Sequence, residues 1–125
     1  MSDTIGNQQA LRPAPGGMLT LTLVDEIARL KAEPEWASLD RRAISLIKDE
    51  ALNVMLIVLK QGARLSEHHT KGPIAVHLLS GAVSLDRGAE HQIVRAGMML
   101  ALARDVPHSL SALEDTALLL ITSIG

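Results

Sequence analysis

The chain contains no cysteine, phenylalanine or tyrosine, and Trp36 is its one aromatic residue apart from the histidines. Without thiols there is neither a disulfide framework nor a thiolate metal site, which excludes a disulfide-stapled secreted scaffold and otherwise leaves the compartment open. Without rings there is little to stack on a planar base, so single-stranded nucleic acid is not expected as a partner. An excess of positive charge is missing as well. Twelve Lys and Arg stand against fourteen Asp and Glu, a formal net charge of -2, and nothing tracks a phosphate backbone. The longest unbroken apolar runs, 54–59 and 98–103, are too short to span a bilayer. The opening Met1, Ser2, Asp3 and Thr4 lack the charged-then-apolar order of an export signal. The expectation is a soluble, cytoplasmic protein with no membrane partner.

What is present is an aliphatic chain of 125 residues, 47% hydrophobic, long enough for one domain with a real core. Residues 1–17, with Pro13, Pro15, Gly16 and Gly17, read as a flexible N-terminal arm, and 18–125 as the single domain. Thr22 and Asp25 fit a capping box, and Leu23, Ile27 and Leu30 share a helical face. Pro34 stops that pattern, so one short helix is expected over 23–33. Trp36 is expected to plug one end of the fold.

Short apolar runs then follow at 43–48, 52–60, 74–80, 82–86, 90–95, 98–103, 108–113 and 116–124, separated by Gly or acidic turns. Such spacing is the mark of an antiparallel sandwich or barrel. Two runs, 54–59 and 117–121, are apolar at every position. A sheet with one wet face alternates, so the outer face here is covered, by the helix or by a second subunit. A homodimer is the simplest account. Met55, Met98 and Met99 are expected as core filler.

Three histidines carry the chemistry. His68 and His69 precede Gly72 and Pro73, and His108 follows Pro107 some forty positions on. Imidazoles so far apart meet only where a barrel brings two hairpins together. His77 shares a strand face with Ala75 and Leu79, opposite Ile74, Val76 and Leu78, and is expected outside the barrel. His91, beside the turn at Gly88, is expected in solvent. Glu67 reads as a rim carboxylate, with general-base work as its alternative role. There is no serine elbow, phosphate-cradling glycine loop or HExxH helix.

Gly62, His68 and Gly81, followed by Gly97 and His108, resemble the two-motif signature of the cupin superfamily over roughly 43–124. The resemblance implies an all-β, cupin-type jelly-roll barrel (a double-stranded β-helix) with one short N-terminal helix. It also implies a divalent metal, but the chain departs from the family's ligands. Thr70 stands at the second histidine, Ile74 at the glutamate, and only His68 and His108 match. Ala103 and Asp105 replace the proline and glycine of the second motif, and Ala112 its closing asparagine.

Two readings stay open. In one, His68, His108 and His69 hold Zn, Fe, Ni, Mn or Cu in an aliphatic pocket edged by Glu67, Thr70, Ile74 and Val76, acting on or binding a small molecule. A strand bulge would be needed for neighbouring His68 and His69 to enter together. In the other, the chain is a metal-free cupin that binds a small ligand as a module or sensor, without catalysis.

Overall fold

The computed structural model describes residues 17–49, 51–68 and 72–123. The proposed arm over 1–16 lies outside them. Nine strands are found among the described residues, in two antiparallel sheets. The five-stranded sheet has the order β1 (Arg41–Lys48), β2 (Asn53–Leu59), β9 (Thr116–Thr122), β4 (Ile74–Ser80) and β7 (Met99–Leu102). The four-stranded sheet has the order β3 (Arg64–His68), β8 (His108–Ala112), β5 (Ala82–Arg87) and β6 (Glu90–Arg95). Strands next to each other in the chain repeatedly fall in different sheets, as a jelly roll requires.

Alternation decides which side chains meet between the sheets. Ile57 and Leu59 of β2, Ile74, Val76 and Leu78 of β4, Val83 and Leu85 of β5, and Leu110 of β8 close one inner core. The opposite residues of the five-stranded sheet, Ile44, Leu46, Leu56, Val58 and Ala117, form a second core. Its cover is helix α1 (Leu23–Lys31), whose Leu23, Ile27 and Leu30 lie on that face. The doubly apolar runs are thus explained within one chain, and the sequence argument that called for a second subunit there is replaced. Among the described residues, the outer face of the four-stranded sheet has no such cover. It carries Arg64, Ser66, Ser84 and Asp86, and among the residues of β6 only Val94 is buried.

Helix α1 starts where expected but without a capping box. Thr22 is extended at the N-cap, and its hydroxyl makes no capping bond; its carbonyl accepts from the amides of Asp25 and Glu26. Asp25 and Glu26 in the first turn and Arg29 and Lys31 in the last complement the helix dipole. A 3-10 turn, Pro34–Ala37, follows, and Trp36 is not at a barrel end. It packs into the outer core, with the Lys60 ammonium 4.8 Å from its ring centre and bonded to its carbonyl oxygen. Buried Arg42 ties the outer face of β1 to Glu33 at the end of this layer through Nε, 2.9 Å from Oε1.

One further expectation is corrected. Met98 and Met99 are 46% and 60% exposed, because among the described residues β7 is an edge strand bonded only to β4 and the helix layer lies over β1, β2 and β9. Met55 does pack against the inner core. The segment 64–68, which shows no apolar run, is a strand all the same. Leu65 faces inward between Arg64 and Ser66, and one inward side chain sufficed to bury it. No helix among the described residues is long and apolar enough to cross a membrane.

Candidate functional site

Strand pairing carries one row of residues across the five-stranded sheet. Lys48 pairs with Asn53, Asn53 with Thr122, Thr122 with Ile74, and Ile74 with Leu102. Asn53 and Thr122 keep the parity of inward-facing Met55 and Leu120, and Lys48 joins them across the irregularity in β1 between Ser45 and Ile47. The row therefore lines the inside of one barrel end, polar on the β1 side and aliphatic on the β7 side. Lys48, Asn53 and Thr122, with Ser45, Met55 and Leu120, border a cavity of about 290 Å³.

The facing sheet contributes the histidines. Leu65 pairs with Leu110, and regular pairing from there would set Glu67 opposite His108. An irregularity between Leu65 and His68 adds one residue on β3, so His68 takes the register position across from His108 instead. His108 is 4% exposed and lines a narrow interior cavity of about 30 Å³ with Ile74, Val76, Leu110 and Leu120. That is room for about two water-sized groups. Its Nδ1 lies 2.9 Å from the Val106 carbonyl oxygen. A carbonyl only accepts, so Nδ1–H donates, and in the neutral ring Nε2 carries the lone pair. Pro107 and Asp105 shape this entrance to β8. Asp105, where the cupin motif has glycine, holds a left-handed φ of 60°, which aspartate tolerates better than most residues.

A third depression, about 170 Å³, lies between β7 and the β5–β6 hairpin, with Arg87, Glu90, Gln92 and Leu102 on its walls and Arg87 ion-paired to Glu90. Leu120 is shared by the first two cavities, and Leu85 by the second and third. All three adjoin at the same end of the barrel.

Of the residues singled out in the sequence, His108, Ile74 and Val76 meet at the interior cavity. For Glu67 and His68 the structure gives the strand position, and His69 and Thr70 lie outside the described residues. Among the described residues, no three His, Asp or Glu side chains are grouped to hold a metal. Ile74, at the position of the family's carboxylate ligand, is a buried cavity wall without a donor atom. The four-ligand cupin set does not fit this chain. Sequence reasoning missed Lys48, Asn53 and Thr122. Their signal was a polar residue at the very end of an apolar run, which is also how ordinary strand ends look.

His77 pairs with Leu119, whose side chain is in the outer core, and so sits on the outer face as the alternation implied. His91 is exposed and pairs with Asp86 across the β5–β6 hairpin, Nδ1 2.6 Å from Oδ1. That bond, and then the one from the Ser84 hydroxyl, hold the Asp86 carboxyl below its ordinary value. A depressed carboxylate contributes stability that is complete above the ordinary value, about 4, and is lost as pH falls through the lower folded one. Asp86→Asn is expected to flatten the acid limb of the urea midpoint against pH. Coincident acid limbs in parent and variant would mean that the bonds do not persist in water.

No family model matches the chain, and no curated protein does. Solved structures do. A cupin-2 domain protein from Shewanella frigidimarina is 11% identical, with 83% of this chain and 94% of that one covered at a TM-score of 0.68. A cupin superfamily protein from Desulfitobacterium hafniense is 16% identical over 68% and 78% of the two chains, at 0.66. The polyketide cyclase RemF from Streptomyces resistomycificus is 13% identical over 67% and 65%, at 0.61. The fold is that of the cupins, an all-β jelly roll.

Proposed function

We propose that this cupin-fold chain binds a small molecule at the open end of its barrel, between the polar row on the five-stranded sheet and His108. The observation that supports it is the adjacency of two cavities that share Leu120 as a wall: a roomy, polar-edged outer one and a small aliphatic one with the His108 imidazole. Pockets of this kind bind by apolar contact and take orientation from a few polar groups. The interior part is so narrow that only a methyl-sized end of the ligand reaches His108. Cupin-fold relatives range from proteins known only by their fold to an enzyme such as RemF, so the fold does not choose between binding and catalysis. We further propose a cytoplasmic homodimer, with exposed Met98 and Met99 beside edge strand β7 as the surface for the second copy.

The test follows the histidine ring resonances of labelled protein during titration with short-chain alcohols and acids. His108 signals are expected to shift while those of exposed His91 stay still. If no member of either series moves His108, the pocket reading fails.

One observation favours a metal as well, the register pairing of His68 with His108. His68, His108 and His69 would then supply nitrogen donors for Zn, Fe, Ni, Mn or Cu, with the remaining positions taken by water or ligand. Elemental analysis of purified protein decides this. Metal retained by the parent and lost in both His68→Ala and His108→Ala supports it; a parent free of metal after growth in supplemented medium overturns it.

A further inference from the structure

The outer cavity has a chemistry of its own. Among the described residues, its wall carries one cation, Lys48, three neutral polar side chains, Ser45, Asn53 and Thr122, and no acidic residue. No described residue bonds to the side chain of Lys48, Asn53 or Thr122. Asn53 and Thr122 are half-buried neighbours in the pairing row, so their amide and hydroxyl face the cavity without local partners. Arg42 and Arg87, by contrast, are ion-paired, with Glu33 and Glu90 respectively.

We infer that this cavity takes the carboxylate of a small aliphatic acid, with Lys48, Asn53 and Thr122 as its anchors and the hydrocarbon tail directed past Leu120 toward His108. A carboxylate accepts from an ammonium, an amide and a hydroxyl at once, and bonds to a charged partner are the stronger ones. One lysine with neutral donors matches a monoanion; a phosphate dianion would leave charge uncompensated beside the apolar wall formed by Val54, Met55 and Leu120. With about 290 Å³ the cavity is at the lower edge of ligand pockets, which fits a short acid rather than a nucleotide. The inference rests on the small-molecule reading above and adds the class of the ligand.

The test compares hexanoate, hexanol and inorganic phosphate by calorimetry on the full chain, parent and variants. Hexanoate is expected to bind the parent, to weaken about tenfold in Lys48→Gln and less in Thr122→Val, and to weaken with added salt. Hexanol is expected to bind more weakly and without regard to Lys48. Lys48 is on the surface, so Lys48→Gln leaves folding intact, and an unchanged melting temperature checks this. If hexanol binds as well as hexanoate and Lys48→Gln alters neither, the carboxylate assignment is overturned while the small-molecule pocket stands. If phosphate alone binds, or no probe does, the assignment is overturned too. The His108 titration then decides separately whether the pocket survives.

Discussion

Gly81→Ala is expected to lower stability by about 3 kcal/mol or more, on the order of 10 °C in melting temperature for a chain of this size. Gly81 joins β4 to β5, and so one sheet to the other, with φ at +84°. An alanine there pays about 1 kcal/mol for the left-handed backbone alone. The larger part is steric. A Cβ would stand 2.3 Å from the Asp115 carbonyl oxygen and 2.8 Å from Thr116 Cα, and backbone atoms cannot rotate away. Shifting them disturbs a bonded corner: the Thr116 hydroxyl is 2.9 Å from the Glu114 carbonyl oxygen and 3.2 Å from that of Ala82, and the Asp115 carboxylate accepts from the Gln61 amide. Gly88→Ala is the control. Gly88 also has positive φ, but nothing lies within 4 Å of its Cβ site, so only the conformational cost applies. Equal losses in the two variants, read from thermal or urea melts, would remove the close approach at Gly81 from the account.

Leu78→Ala is expected to cost about 3 to 4 kcal/mol. Leu78 has no exposed surface and sits in the inner core, with its amide bonded to the Met98 carbonyl and its carbonyl to the Gly97 amide. Both sheets and a fixed turn surround the gap, so the site has little freedom to collapse. Val24→Ala, in solvent on helix α1, should change the urea midpoint hardly at all. A small loss at Leu78 would show that the inner core closes over the vacancy.

Most of the barrel was legible because its strands are either apolar or alternating and end at glycines or acids. Strands β4 and β6 fall where the pattern put them. The strand at 64–68 was hidden by its polar outer face, and Trp36 by the fact that a lone indole fits a barrel end and an outer layer equally well in sequence. The second subunit inferred from 54–59 reflects a limit of hydropathy: it reports that a face is covered, not by what. At the site, His108 was legible from its motif position. Lys48, Asn53 and Thr122 come together only through cross-strand register, which no single run of sequence contains.

The extra residue on β3 gives chain length a chemical meaning. Because it shifts the strand's phase by one, an imidazole-bearing residue rather than a carboxylate-bearing one stands opposite His108. Regular pairing of the same chain, with the irregularity ironed out, would set Glu67 in this station without altering any side chain. Which residue type occupies this station is thus set by the phase of the strand as well as by its composition.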